Sequence, residues 1–482
     1  MATFDFDIGI IGGGSAGLTA AAGSSQLGAN TLLVEREGRL GGDCLHYGCV
    51  PSKALIKIAR VRHLIKSSSR FGLPEVELEK IDFNKVTERI KSVISKIQKH
   101  DSVERFCRLG TRVEFGAPEF VDEHSIRLNG QTISARNWLI ATGSSPNIPV
   151  VRGMATARYI TNREIFYLDR LPSSMIILGG GPIGVEMAQA FNRLGSKVFV
   201  IQRAGQLLPR EDKDMADSVM AVLASEGVIF HLNASVSEIK DFGDSCEVTL
   251  KSGDERTVIN AETILVATGR RPNTDGLGLE RVGVQFDEKG IKVDNRMRTH
   301  QKHIYAAGDV TGGYLFTHAA GYEGGVAVSN AIFHLPRKVD YTFFPWCTYT
   351  DPELGCIGLN ETAAKSAGIE YSVWTEEFSA NDRSIAEGYE VGRIKLVLNE
   401  KEGPVGVQIF GPHAGDLVGE WTAALNGRVR LSTLASSVHP YPTIAEINKK
   451  VVSNFLSTKI FSEKIRKGLK FFFNLRGRAC EL

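Results

Sequence analysis

Two cysteines separated by four residues stand in Gly41-Gly42-Asp43-Cys44-Leu45-His46-Tyr47-Gly48-Cys49-Val50-Pro51-Ser52-Lys53. That spacing can close a small disulfide ring. At a helix N-terminus, the helix dipole and a nearby lysine stabilise a thiolate, the nucleophilic form of sulfur. Buried structural thiols or a zinc half-site are the plainer alternatives. No second Cys/His pair at zinc spacing completes a metal site, so redox chemistry is expected and no metal ligand is assigned. Seven cysteines in 482 residues do not make a disulfide scaffold. A cytoplasmic setting, where a close pair is more often catalytic than structural, fits them.

A redox pair needs an electron source, and the surrounding glycines supply one. Gly12, Gly14 and Gly17 follow an apolar strand, open a helix, and precede Glu35 at the end of a second strand. Glycines at those positions let backbone approach a pyrophosphate, the helix N-terminus faces it, and the acid accepts ribose hydroxyls. The unit recurs at Gly179, Gly181 and Gly184, but Gln202-Arg203 replaces the acid. A cation there favours a 2′-phosphate, hence NADPH, with NADH as the alternative donor. Asp309 closes Ala306-Ala307-Gly308-Asp309, and the segments Ala141-Thr142-Gly143 and Ala267-Thr268-Gly269 each end a strand.

The elements that hold these residues read as strand, glycine turn, helix, strand, twice over. The first unit has strands Phe6–Ile11 and Thr31–Glu35 around a helix Leu18–Leu27. The second has Met175–Leu178 and Lys197–Gln202 around a helix ending near Leu194. A spacing of about 167 residues between the units is too long for a solenoid repeat and indicates two nucleotide-binding domains. The apolar period of Val86, Ile90, Val93, Ile94 and Ile97 predicts one long helix over 84–107, capped by Asp82 or Asn84. After Tyr341 short alternating strands, at 392–399 and 406–410, mix with helices. The expected architecture is α/β, with two Rossmann-like dinucleotide-binding domains and a C-terminal α+β domain. Its parts are 1–150, 151–274, 275–340, 341–454 and a basic amphipathic tail over 455–482.

Composition is that of a soluble globular chain, with 43 % hydrophobic and 23 % charged residues. A net charge of +2 gives no electrostatic case for nucleic acid. The start of the chain lacks the basic region of a signal peptide, and no apolar run is long enough for a spanning helix. The charge is uneven: the tail carries seven basic and two acidic residues, leaving the rest at −3. Ile460, Phe461, Ile465, Leu469 and Phe472 recur there near helical spacing. A packed or solvated helix is the plain reading, and contact with an anionic membrane surface is the sharper one.

The cysteine stretch, both glycine units, both Ala-Thr-Gly segments and the Gly-Asp segment, in this order, resemble the pyridine nucleotide–disulfide oxidoreductases. The resemblance runs to about residue 450. It implies FAD on the first unit, with Gly42, Thr142, Gly143 and Asp309 at the cofactor, and NAD(P)H on the second, with Gly269 beside it. It implies a homodimer formed through the C-terminal domain. It further implies that Cys49 is the thiol against the flavin, that Cys44 is the interchange thiol, and that Lys53 and Glu186 form a pair near the flavin.

Disulfide reductases of this family place a histidine before Pro-Thr, with a glutamate five residues later. Here the segment is Val438-His439-Pro440-Tyr441-Pro442-Thr443-Ile444-Ala445-Glu446. Alignment on Pro-Thr and Glu446 puts Tyr441 in the base position and His439 two residues early. An imidazole exchanges protons near neutrality, whereas a phenol is a poor base there. Tyrosine in this position is similar to the mercuric reductase branch, in which soft Hg(II) meets thiolates. That branch also carries a C-terminal vicinal cysteine pair, and this chain has only Cys480. Pro182 departs from the aromatic nicotinamide gate of some reductases. The expected activity is therefore reduction of Hg(II) or another thiol-bound soft acceptor. A dihydrolipoamide dehydrogenase or another reductase of low-molecular-weight disulfides is the alternative, and a flavin-bearing membrane adaptor without enzymatic activity is a third.

Overall fold

The computed structural model describes residues 3–477, so Cys480 lies outside the described residues. The chain divides into two compact units. The first comprises 1–207 and 223–339, the second 208–222 and 340–482.

The first unit holds both nucleotide-type sheets. Phe6–Ile11 pairs in parallel with Thr31–Glu35 on one side and Gln131–Ile140 on the other. Thr111–Phe115 extends the sheet beyond Thr31–Glu35. The two inner strands Phe6–Ile11 and Thr31–Glu35 are buried along almost their whole length, so apart from Asp7 and the end residues Thr31 and Glu35 they are apolar rather than alternating. Gly9 interrupts that run because the Trp138 ring lies across it; a Cβ there would stand 2.1 Å from the indole. Ile304–Ala306 returns late in the chain to pair with Gln131–Ile140. That return brings Gly308 and Asp309 to the sheet that carries the first glycine turn. Behind it, the helix Thr317–Phe333 packs on Ser15–Gln26 so closely that a Cβ on Gly324 would lie 2.4 Å from the Ala16 carbonyl.

The second sheet is parallel in the order Ile229–His231, Lys197–Ile201, Ser174–Leu178, Thr263–Val266. A three-stranded antiparallel meander, Ser235–Asp241, Cys246–Ser252 and Glu255–Ala261, packs against it through Val248, Leu250 and Ile264. The single helix expected over 84–107 is corrected. Asp82 caps a helix Phe83–Gln98, a short 3₁₀ turn comes next, and a separate helix occupies Val103–Arg108. The break has a local cause: the Ser102 side chain accepts the Arg105 N–H, a competing N-cap inside an otherwise helical run.

The second unit is built on a five-stranded antiparallel sheet, in the order Pro345–Thr348, Glu353–Gly358, Pro404–Gly411, Arg393–Asn399, Tyr371–Glu377. Helices Ala414–Asn426 and Glu446–Ile460 cover it and close a core around Trp421, Ile447 and Val451.

Candidate active site

Cys44 lies in the short helix Gly42–Tyr47, and Cys49 is the first residue of the helix Cys49–Lys66. Gly48 makes the turn between them, where a Cβ would stand 3.0 Å from the Asp43 carbonyl. Both thiols are free; Cys49 is exposed and Cys44 half-buried. Cys49 sits at the positive end of an 18-residue helix. Its sulfur lies 3.3 Å from the Thr317 hydroxyl, with the Cys44 thiol as its electrostatic neighbour.

These contacts pull the Cys49 pKa from the ordinary 9.0 down to about 6, with the Cys44 hydrogen bond foremost, although the crowded surroundings oppose them. The same hydrogen bond holds Cys44 well above its usual range. The negative charge therefore belongs to Cys49 and the shared proton to Cys44. A depressed thiol pKa fixes the sign of the pH dependence. Stabilisation by this thiolate is complete above pH 9.0 and is lost as pH falls through about 6. Titration of the reduced protein, tracked by thiolate ultraviolet absorbance, is expected to show one thiol with a midpoint near 6. A lowest midpoint at about 8 or higher, the ordinary thiol range, contradicts the assignment.

One helical turn beyond Cys49, Lys53 Nζ meets Glu186 Oε2 at 2.9 Å. Glu186 is buried in the helix Pro182–Leu194 that leads out of the second glycine turn. The ion pair thus ties the cysteine helix to the second nucleotide unit. A cavity of about 400 Å³ opens beside Cys49, walled by Val50, Lys53, Lys57, Arg89 and Val93.

The two glycine turns are near copies in space. A Cβ on Gly12 would stand 2.3 Å from the Ala141 carbonyl, and one on Gly179 would stand 2.3 Å from the Ala267 carbonyl. Likewise Gly17 lies against the Gly12 carbonyl and Gly184 against the Gly179 carbonyl, each at 1.9 Å from such a Cβ. These four glycines are demanded by the chain itself. The middle pair is not: Gly14 and Gly181 have negative φ, and a Cβ on either would meet no protein atom closer than 3.9 Å. Open space at a glycine that backbone geometry does not require fits the close approach of a pyrophosphate.

The acid end of the first turn is built as the motif demands. Glu35 is buried and accepts the N–H groups of Gly13 at 2.7 Å and Glu37 at 2.6 Å. Gln202 takes the equivalent place at the second turn, accepting from Gly180 at 3.2 Å. Arg203 beside it is exposed. Gly42 packs directly on Gly14, which joins the cysteine segment to the first turn. Gly143 and Gly269 both take positive φ, with open space around them. The Thr142 hydroxyl donates to the Asn273 carbonyl. Asp309 is drawn into a polar chain in which Ser144 Oγ donates to it at 2.5 Å, and burial raises its pKa. Arg270 donates to Ser144 and pairs with Asp43 at 3.0 Å.

Thr317, Ser144, Asp43 and Arg270 did not stand out in the sequence. Thr317 is 268 residues from Cys49 and has no motif of its own. The Thr268-Gly269-Arg270 run was a weak signal for Arg270.

The remaining expected residues lie in the second unit. His439 Nε2 is 3.0 Å from Glu420 Oε1. The Tyr441 hydroxyl is exposed and donates to Asp382 Oδ2 at 2.8 Å, a bond that raises the phenol pKa. Glu446 accepts the Thr443 N–H at 3.2 Å.

Residues 6–324 match the family described as pyridine nucleotide-disulphide oxidoreductase, and residues 344–452 match its dimerisation domain. A mercuric reductase of Staphylococcus aureus is 32 % identical over 92 % of this chain and 81 % of its own length. A dihydrolipoyl dehydrogenase of Geobacillus stearothermophilus is 36 % identical over 94 % and 96 %. Among solved structures, the HOCl-induced flavoprotein disulfide reductase RclA from Escherichia coli superposes with a TM-score of 0.83 at 27 % identity, covering 93 % of this chain and 99 % of that one. A Cu(II) complex of the same reductase gives 0.83 at 26 %, covering 94 % and 100 %. No helix among the described residues is long and apolar enough to cross a membrane.

Proposed function

Because this chain belongs to the pyridine nucleotide-disulphide oxidoreductase family, we propose that it passes electrons from NADPH through FAD to Cys49 and Cys44, and on to a thiol-bound soft metal ion such as Hg(II). FAD, when bound, would supply the two-electron relay between nicotinamide and disulfide. The chain's own residues do the rest. Gly12, Gly14, Gly17 and Glu35 receive the FAD pyrophosphate and ribose, with Asp309 and Thr142-Gly143 lining the cofactor. Gly179, Gly181 and Gly184 receive the nicotinamide nucleotide, and the exposed Arg203 favours the 2′-phosphate of NADPH. The Lys53–Glu186 pair, one helical turn from Cys49, would help to hold the flavin. Cys49 keeps the negative charge, and Cys44 meets the acceptor. The dimerisation domain pairs two copies.

The observation that carries the acceptor reading is the Tyr441 hydroxyl bonded to Asp382. A phenol donating to a carboxylate, with its pKa raised, does not take a proton from a thiol at neutral pH. A soft metal ion needs thiolates rather than proton exchange. A structural relative has been solved as a Cu(II) complex, which is in keeping with a metal ion as acceptor. A specific observation favours a second reading, reduction of a small disulfide. His439 is paired with Glu420, the arrangement of an oriented imidazole base, and a dihydrolipoyl dehydrogenase is among the relatives.

Holoenzyme assayed with NADPH and NADH, against Hg(II) in excess thiol and against lipoamide, separates the two. Hg(II) is expected to stimulate NADPH oxidation. His439→Ala should leave that rate within about threefold, because transfer to a metal ion needs no imidazole base. No stimulation by Hg(II), with good lipoamide turnover that collapses in His439→Ala, replaces the first reading by the second.

A further inference from the structure

The last helix of the described chain, Glu463–Phe472, buries none of its residues. The helix before it behaves differently: Glu446–Ile460 buries Val451, Val452 and Phe455 in the core of its unit. Burial therefore stops at Phe455, close to where the match to the family's dimerisation domain stops at 452. The segment beyond Phe455 is an extension outside that match.

That extension is two-faced. Ile465, Leu469 and Phe472 recur at i, i+4 and i+7, so they share one face. They are 43 %, 44 % and 80 % exposed. Phe461 and Phe473, at 77 % and 69 %, continue the apolar surface beyond each end. Lys464, Arg466, Lys467 and Lys470 project from the rest of the helix, all exposed, and Phe471, 82 % exposed, stands among them. Lys467 pairs with Glu463 at 2.8 Å, while the other three have no carboxylate partner among the described residues.

Charge decides what covers this face. The segment 455–482 carries a formal +5. Two such helices laid together would repel, so a second copy of the helix is a poor occupant. A bilayer with anionic headgroups complements both faces at once, with apolar side chains at the acyl boundary and cations at the phosphates. Ten residues of helix span about 15 Å, half of a hydrocarbon core, so the helix lies along the surface and does not cross.

We propose that the helix Glu463–Phe472 seats this protein on the surface of an anionic lipid bilayer. The assignment is independent of the electron acceptor. The test is co-sedimentation of the full-length holoenzyme with vesicles of one part phosphatidylglycerol to two parts phosphatidylcholine, and with phosphatidylcholine alone. Binding is expected to be at least about tenfold stronger on the anionic vesicles and to weaken with added salt. The double variant Leu469→Glu/Phe472→Glu should lose it. The triple variant Lys464→Gln/Arg466→Gln/Lys470→Gln should weaken it about tenfold or more. Soluble NAD(P)H-dependent turnover should be unchanged in both. Equal vesicle binding by wild type and the Leu469→Glu/Phe472→Glu variant, or no binding by either, overturns the proposal. So does a change of oligomeric state in sedimentation velocity with vesicle binding unaltered, which would place the face against a second copy.

Discussion

Cys44→Ser is expected to abolish acceptor reduction, by roughly 10³-fold or more, while leaving the Cys49 thiolate in place. The reason is a division of labour within the pair. The reduced pair gives up two electrons only by closing the disulfide, which needs both sulfurs, so serine at either position stops turnover. The two variants nevertheless differ in what remains. Serine at 44 can still donate a hydrogen bond to the Cys49 sulfur, and the helix N-terminus, Thr317 and Lys53 still favour its charge. In the reduced holoenzyme, Cys44→Ser should therefore keep a long-wavelength absorbance from thiolate to flavin, and Cys49→Ser should lose it. Absorbance spectra and steady-state turnover on both variants decide the matter. If Cys44→Ser retained turnover within about tenfold of wild type, or if the band tracked Cys44 instead, the roles drawn from the hydrogen bond between them would be wrong.

The second large effect concerns stability and lies in the C-terminal unit. Lys395 is among the largest fully buried side chains, and its ammonium meets Asp212 at 3.2 Å, Asp214 at 2.7 Å and Glu361 at 2.7 Å. Three acids so close could hold a metal ion, but the lysine stands among them as their counter-charge. Lys395→Met removes the buried cation of the group and leaves the buried Asp212 carboxylate short of charge. Breaking a buried pair from one side costs about 3–5 kcal/mol. The lower end is expected, near 3 kcal/mol, because the Asp212 carboxylate also accepts from the Glu361 N–H, the Thr362 N–H and the Thr362 hydroxyl. A lowered denaturant midpoint should report it. Lys395→Met with Asp212→Asn should recover part of the loss, since the stranded charge goes with its partner. A single-variant loss under about 1 kcal/mol would mean that water already reaches the cluster.

The third reading, a non-enzymatic adaptor, gives the Cys49–Cys44 hydrogen bond and the Lys53–Glu186 pair no role. Surface attachment does not require that reading. A reductase can be carried to a bilayer by its last helix and do its chemistry in the first unit.

What the sequence determined by itself is what is encoded over short stretches. The two glycine turns, the strands that enter them, Glu35, and the cysteine pair at a helix start are all written in runs of fewer than about forty residues. There, local backbone needs dictate residue type: Gly12 and Gly17 are glycine because a neighbouring carbonyl fills the space of a Cβ. The amphipathic tail is equally local. The single helix over 84–107 failed for a local reason too, since the apolar period was real but Ser102 offered a competing cap within it.

Tertiary structure decided what depends on residues far apart. It set Thr317 beside Cys49, linked Asp43 to Ser144 through Arg270, and closed three acids around Lys395. No periodicity announces such contacts, because they arise where the sheet brings late strands and helices back to early ones. The Cys44–Cys49 pair was visible from spacing alone. Which sulfur holds the charge was not, because that depends on the direction of one hydrogen bond and on cations and dipoles that only the folded chain brings within reach.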